Sequence, residues 1–405
     1  QLFMIKIADR KKRNHIVLLF SVMYMISYIT RMNYGAIILE IQSKTGFSKS
    51  LLSMPVTGSF IAYGIGQLIS GFCGDKMSPK KLVTIGLSVS VCMNILIPLC
   101  QNPYQMLVVW SINGLAQSFL WPPMVKILAQ IFSETDYQYA VTKMSWGGNI
   151  GTILVYLIAP VLISVFHWSS VFGFAAIVGG AMVVIWNKYA CDGKTEPIHP
   201  NDPAGIGKIW MKPILIGIFA GILLQGMLRD GVTTWMPSYI QETYHFSNAT
   251  AILTGVAMPA FSILCTHLTA RLYAKKLTNP MLCAGVLFVA GALSAAAMHF
   301  FAGENAIVSL LAFSVLTGSM HGVNLILVCM IPRYFEKTGQ VSAVSGLLNA
   351  FTYAGSAAST WCVAASTDTC GWGVTIMIWL LTAATGAGIC LLSSKAWNRY
   401  QKTIL

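Results

Sequence analysis

The sequence predicts an all-α membrane protein with twelve transmembrane helices in two pseudo-symmetric six-helix halves. Three observations predict it. Of the 405 residues, 56% are hydrophobic and only 10% are charged, more apolar surface than a water-soluble chain of this length can bury. Apolar stretches of about 20 residues, each long enough to cross a hydrocarbon layer of ~30 Å, recur from His15 to Ser394. The basic residues gather between alternate stretches, as a membrane topology requires. These features exclude secreted disulfide scaffolds, disordered chains and cytosolic enzymes. The basic stretch before the first apolar run is not followed by a small-residue cleavage pattern, so no removable signal peptide is expected.

Cutting at charged, proline-rich and glycine-rich breaks gives spans at roughly 15–41, 50–73, 82–100, 104–130, 138–164, 169–190, 213–240, 248–272, 280–300, 305–331, 340–366 and 371–395. With both termini cytoplasmic, Lys6, Arg10, Lys11, Lys12 and Arg13 precede the first span on the inside, and Lys76, Lys80 and Lys81 follow the second. Lys126 and Lys143 fall at the inner ends of the fourth and fifth. Lys188, Lys194, Lys208 and Lys212 follow the sixth, Arg271, Lys275 and Lys276 the eighth, Arg333 and Lys337 the tenth, and Lys395, Arg399 and Lys402 the last. Lys44 and Lys49 alone lie outside, which satisfies the positive-inside rule for an inner- or plasma-membrane protein. The net charge of +13 thus reads as topology, with no nucleic-acid partner.

Residues 191–212 are the longest polar interruption and carry Pro197, Pro200 and Pro203, so they read as a flexible cytoplasmic linker between an N-terminal half (1–190) and a C-terminal half (213–405). The ten cysteines are scattered mostly through apolar spans without C-x-x-C pairs, and read as small hydrophobes rather than metal ligands or disulfides. The halves also echo each other. Ile41-Gln42 precedes Phe47-Ser48 at the spacing with which Ile240-Gln241 precedes Phe246-Ser247, and Arg31 and Arg229 stand at nearly equivalent places before them. Such duplication points to a midplane site between halves that rock against each other, as in secondary transporters.

Arg31 and Arg229 are the two basic residues within spans, and a cation near the bilayer centre costs ~2.5–3.5 kcal/mol on insertion scales. A structural ion pair is the plain alternative for each. Asp230 adjoins Arg229, but adjacent helical residues point about 100° apart, and span 1 offers Arg31 no acid before Glu40. Anion binding is the favoured role, because the planar guanidinium fork suits carboxylate or phosphate and two forks could share a dianion. Tyr24, Tyr28 and Arg31 at i, i+4 and i+7 share one helical face, as do Tyr63 and Gln67. Gln225 with Arg229, Asn349 with Tyr353, Ser145 with Asn149, and His321 with Asn324 add polar pairs, each of which could instead simply bond a neighbouring helix. Trp121-Pro122-Pro123 breaks span 4 where an aromatic could wall a cavity, or merely kinks it.

Gly71-Phe72-Cys73-Gly74-Asp75-Lys76 and Ser78-Pro79-Lys80-Lys81 join spans 2 and 3. This segment resembles the signature cytoplasmic loop of the major facilitator superfamily, which implies a conformational gate at Gly71, Asp75 and Lys80 that latches the halves in the outward-open state. No Walker loop, G-x-S-x-G, H-E-x-x-H or paired-carboxylate arrangement accompanies it, so neither an enzyme nor a cofactor is expected.

Within that superfamily the chain is similar to the organophosphate:phosphate antiporter family, which includes the glycerol-3-phosphate, hexose-6-phosphate and phosphoglycerate transporters. The resemblance rests on Tyr24, Tyr28, Arg31-Met32-Asn33, Tyr63 before the loop, Trp121-Pro122-Pro123, Asn149-Ile150-Gly151, Arg229-Asp230-Gly231-Val232 with Trp235, Pro237 and Tyr239, and Gly346 to Gly355 with Tyr353. It implies that both arginines bind the phosphate group, with tyrosines on the same faces in support. Arg31, Arg229, Tyr24, Tyr28, Tyr63, Gln67, Trp121, Asn149, His321, Asn349 and Tyr353 form the expected substrate-binding set.

Four positions depart from that pattern. The glycerol-phosphate members have a lysine where Gln67 stands, a histidine where Gly148 stands, a tyrosine where His321 falls and a neutral residue where Asp230 stands. The cavity is less cationic than theirs, which leaves room for an organic carboxylate. A related anion:cation symporter family shares the Arg-x-Asn pattern of span 1 but does not imply an arginine at 229. The expectation is a monomeric carrier that exchanges a small organophosphate for inorganic phosphate by alternating access. A proton- or sodium-coupled organic-anion symporter and a non-transporting sugar-phosphate sensor are the alternatives.

Overall fold

Asparagine, serine and aspartate side chains start helices where the sequence breaks. Asp9 accepts from the Lys11 N–H at 2.9 Å and opens α1 (Arg10–Ala36), which a turn at Ile37 separates from the short α2 (Ile38–Thr45). After α3 (Lys49–Lys76), Ser78 caps α4 (Pro79–Leu96) and Asn102 caps α5 (Pro103–Gln117). Both place proline at the first helical position, where no N–H is needed. Next come α6 (Trp121–Ile131), α7 (Glu134–Val165) capped by Ser133, and α8 (Ser169–Tyr189). The remainder is α9 (Pro213–Tyr244), α10 (Asn248–Lys275), α11 (Pro280–Phe301), α12 (Ala306–Asn324) and α13 (Val341–Ile404).

The structure, a computed structural model, describes residues 9–47, 49–193, 213–245, 248–301, 305–338 and 341–404. Lys6, the linker residues Lys194, Lys208 and Lys212, and the repeat positions Ser48, Phe246 and Ser247 lie outside them. Among the described residues there is no strand, and every expected span is helical. Counted over the described residues, eight helices are long and apolar enough to cross a membrane. Among the other expected spans, the first part of α13 carries many serine, threonine and glycine residues, and span 4 is divided into α5 and α6 by a turn at 118–120.

Two further irregularities stand out. α12 runs on into a π-helical turn (Leu325–Met330) and a 3-10 segment (Ile331–Thr338), where Pro332 supplies no N–H to continue an α-helical ladder. Spans 11 and 12 join without a loop inside α13, through Gly371 at φ 76° and ψ −179°. That conformation is open essentially to glycine alone, so Gly371→Ala is expected to lower stability by ~1–3 kcal/mol. A drop in the melting temperature of the purified protein checks this.

The residues cluster into two units, one of 1–197 with Phe335–Ala350 and one of 198–334 with Phe351–Leu405. In the first, α1 packs most extensively on α7, because a Cβ at Gly147 or Gly151 would overlap the backbone carbonyl of Ser21 or Met25. In the second, Gly355 of α13 meets the Leu223 carbonyl of α9 in the same manner, so the internal duplication recurs as a pair of glycine seams. Side chains are distributed as an apolar solvent requires. Leu392 is 86% and Ile177 74% exposed, while Asn94, Asn113 and Gln117 are buried. Lys126, assigned above to the inner end of span 4, is only 3% exposed, because α6 is buried on nearly every side.

Candidate functional site

Arg31 lies near the C-terminal end of α1, 7% exposed. Its guanidinium carbon stands 4.3 Å from the centroid of the Tyr28 ring and 4.7 Å from that of Tyr63 on α3. Two ring faces thus share one cation, each worth ~0.5–2 kcal/mol when desolvated. The aromatic chain continues: Tyr24 meets Tyr28 edge-on at 5.0 Å and the Trp121 indole at 4.8 Å. The structure therefore brings Tyr24, Tyr28, Arg31, Tyr63 and Trp121 together. It also accounts for one departure from the family pattern. A Cβ at Gly148 would come within 2.9 Å of the Tyr28 ring and 3.1 Å of the Tyr24 ring, so a histidine there has no room unless the tyrosines move. Asn149, the next residue on α7, is buried.

A polar network that sequence reasoning missed holds α1 in place. Asn33 donates to Asn94 of α4 at 2.7 Å, and Asn94 donates to the Thr30 carbonyl at 2.9 Å. Ser90 donates to Asn113 of α5 at 2.6 Å, and Asn113 donates to the same Thr30 carbonyl at 3.2 Å. Gln117 closes the network with bonds of 2.8 Å to the Thr30 hydroxyl and 2.7 Å to Ser90. All six residues are buried on either side of Arg31 in sequence or across from it on α4 and α5. The available signal was the run of Asn and Gln residues in otherwise apolar spans. Replacing Asn94 by Leu would leave several buried groups unpaired, at ~1–3 kcal/mol. A lowered melting temperature, with a smaller drop in Asn94→Gln, which keeps the donating amide, is the expected result.

Gln67 is fully buried one turn after Tyr63, and its amide donates to the Ser118 carbonyl at 3.4 Å. That carbonyl is free for it because Pro122, four residues on, has no N–H. The Gln67 amide thus bonds across to the break in span 4. Gly71 and Gly346 occupy another close approach: a Cβ at Gly71 would lie 2.9 Å from the Ser342 carbonyl, and one at Gly346 would overlap the Gln67 carbonyl. Asn349 is buried in the same 335–350 segment of the first unit. The Lys80 ammonium donates to the carbonyls of Asn187 and Ala190 at 2.9 and 2.8 Å, at the end of α8, while Asp192 caps α4 through Ser78 and the Lys80 N–H. Lys80 is thus held inside its own unit. The side chain of Asp75 lies outside the described residues.

In the second unit, Arg229 and Asp230 form a two-pronged ion pair, Nε to Oδ1 at 2.7 Å and Nη2 to Oδ2 at 2.8 Å. The orientation of Asp230, left open by the sequence, is toward Arg229: the long arginine side chain folds back and presents its fork to the adjacent carboxylate. Nη1 donates to Asn324 of α12 at 3.2 Å, and the Ser356 hydroxyl of α13 donates to Asp230. His321, one turn before Asn324, lies within electrostatic reach of both charged groups. Tyr353 belongs to this unit and is half-buried.

A model of the Major Facilitator Superfamily matches residues 20–360. The chain belongs to the Major Facilitator Superfamily. Like other members it is an integral membrane protein, and a transporter by family rather than an enzyme. The glycerol-3-phosphate transporter of Bacillus subtilis is 26% identical over 305 residues, 67% of each chain. The membrane sensor protein UhpC of Escherichia coli is 22% identical over 411 residues, covering 94% of this chain and 91% of its own. A solved structure of the proton:xylose symporter XylE, bound to 6-bromo-6-deoxy-D-glucose, aligns over 93% of this chain and 94% of that one, with a TM-score of 0.75 at 13% identity. That likeness shows the superfamily fold alone.

Proposed function

We propose that this Major Facilitator Superfamily protein carries a small organophosphate across the inner or plasma membrane and exchanges it for inorganic phosphate by alternating access. It works as a monomer with both termini cytoplasmic. Arg31 and Arg229 bind the anionic group, supported by Tyr24, Tyr28, Tyr63, Trp121, Asn149 and Gln67 in the first unit with Asn349, and by His321 and Tyr353 in the second. Gly71, Asp75 and Lys80 form the conformational gate. The observation that carries the reading is Arg31, a buried cation sandwiched by two tyrosine rings. Such rings fix the guanidinium plane from its faces, and a planar fork so oriented matches the geometry of a phosphate or carboxylate. The resemblance to a glycerol-3-phosphate transporter over 67% of the chain supports phosphate esters as the substrate class.

The near full-length similarity to a membrane sensor favours a second reading, ligand binding without flux. Counterflow separates the two. Proteoliposomes loaded with phosphate are expected to accumulate radiolabelled phosphate, with phosphate esters competing better than carboxylates. Ester binding without counterflow would favour the sensor, and uptake inhibited only by carboxylates would favour an organic-anion symporter.

A further inference from the structure

α7 carries three kinds of face. Gly147 and Gly151 turn to α1, and Ser145, Asn149 and Thr152 share a polar stripe. The third stripe, at positions i, i+4, i+7, i+11, i+18 and i+22, holds Tyr139, Lys143, Trp146, Ile150, Leu157 and Val161. Its far part is apolar and open, with Ile150, Leu157 and Val161 at 40, 50 and 60% exposure, as befits a face against hydrocarbon. Its near part is cationic and aromatic. The Lys143 ammonium stands 3.7 Å from the centroid of the Trp146 ring and 5.8 Å from that of Tyr139, and the Tyr139 ring also lies 5.0 Å from the guanidinium carbon of Arg13 on α1. The two cations are not alike. Arg13 donates to Asp136 at 2.6 Å, so a carboxylate already answers its charge. Lys143 has neither a hydrogen bond nor an ion pair among the described residues. It sits seven residues beyond Asp136, about 10 Å further along the helix. Helical side chains lean toward the N-terminus, so this lysine extends back along the rings toward the Arg13–Asp136 pair and the polar boundary of the membrane. The ring faces attract the ammonium but offer no oxygen to its three N–H groups.

We propose that Tyr139, Lys143 and Trp146 form a binding site for an anionic phospholipid, in the leaflet that surrounds the N-terminal end of α1. The lipid phosphate accepts from the Lys143 ammonium and the Tyr139 hydroxyl, Trp146 packs below it, and an acyl chain follows Ile150, Leu157 and Val161. Arg13, fixed by Asp136, holds the Tyr139 ring in place. The charge of the headgroup follows from its surroundings. Arg10, Lys11 and Lys12 stand exposed at the same end of α1, and each adds to a field that attracts a net negative lipid. A zwitterionic headgroup would bring an ammonium of its own into that field. The site lies on a different stripe of α7 from Asn149 and does not depend on which substrate the protein carries.

The test is native mass spectrometry of the purified full chain, with dioleoyl phosphatidylglycerol and dioleoyl phosphatidylcholine as probes. The expected result is preferential retention of phosphatidylglycerol, weakened at least about 5-fold in Lys143→Gln and kept in Lys143→Arg. Lys188→Gln is the control and is expected to behave as wild type, since it removes an exposed cation that stands over a single ring, Tyr189, at 5.2 Å. Equal retention of the two lipids by the wild type overturns the proposal, as does a preference that survives Lys143→Gln. Inorganic phosphate separates a lipid from a soluble anion: thermal protection by phosphate that is lost in Lys143→Gln would overturn the lipid assignment and give Lys143 to a soluble ligand. Location is read by fluorescence in phosphatidylcholine nanodiscs. Brominated phosphatidylglycerol, added as a minor component, is expected to quench tryptophan emission more than brominated phosphatidylcholine does, and the excess is expected to vanish in Trp146→Phe. An excess unchanged in Trp146→Phe overturns the site, and this measurement decides should Lys143→Gln not fold.

Discussion

Arg31→Lys is expected to weaken phosphate-ester binding by at least about 100-fold, close to 3 kcal/mol, while the protein remains folded and inserted. Charge survives this change, but the plane and the fork do not. The guanidinium lies against Tyr28 and Tyr63 at 4.3 and 4.7 Å, and a lysine ammonium can neither stack in that slot nor donate two parallel bonds to a phosphate. Binding calorimetry or a ligand-induced thermal shift reads the loss, and monodispersity in detergent verifies the fold. Tyr63→Phe keeps the ring face and is expected to lose much less than Tyr63→Leu, which removes it. Wild-type affinity in Arg31→Lys would remove the arginine from the binding machinery.

The second large effect is structural. Gly147→Leu is expected to destabilise the first unit by about 3 kcal/mol or more, because the added carbons meet backbone rather than a side chain that can swing away. The Cβ alone would overlap the Ser21 carbonyl, and the Met25 N–H group stands next to it at 3.4 Å. α1 would be pushed off α7, taking Arg31 and the Thr30 network with it. Gly173→Leu on α8 is the control, since nothing lies within 4 Å of a Cβ there and the residue is exposed. Fluorescence-detected size-exclusion profiles should show loss of the folded peak for the first variant and retention for the second. Equal behaviour of the two would mean that the α1–α7 seam tolerates repacking.

Much of this architecture was legible because hydrocarbon imposes a narrow grammar. Twelve spans, the buried Arg31 beside Tyr28 and Tyr63, and the break at Pro122-Pro123 all follow from run length, helical spacing and the missing proline N–H. Contacts between helices were not legible in the same way. The pairing of Arg229 with Asp230 depends on a rotamer that spacing rules cannot supply, and the contact of the Gln67 amide with the Ser118 carbonyl could not be read from its spacing to Tyr63. The burial of Lys126 was invisible because a cation after a proline break reads as the end of a span. Asn33, Asn94, Asn113 and Gln117 were each visible, but only their convergence on Thr30 shows why α1, α4 and α5 tolerate them. Gly148 could be noted as a missing histidine, yet the tyrosine rings that fill its place had to be seen.

The break in span 4 has a consequence for biogenesis. Its pieces hold 15 and 11 residues, which at 1.5 Å per residue reach about 22 and 16 Å, so neither crosses ~30 Å of hydrocarbon on its own. An insertion machine that releases segments singly would deliver the bare Ser118 carbonyl into lipid, where an unpaired carbonyl costs several kcal/mol. The group that satisfies it, the Gln67 amide on α3, leaves the ribosome some fifty residues earlier, at a sequence separation of 51. Vectorial synthesis therefore supplies the donor before the acceptor. α3 has to wait at the translocon until α5 and α6 arrive, and a circular permutant that made α3 last would have to be held by chaperones at that stage.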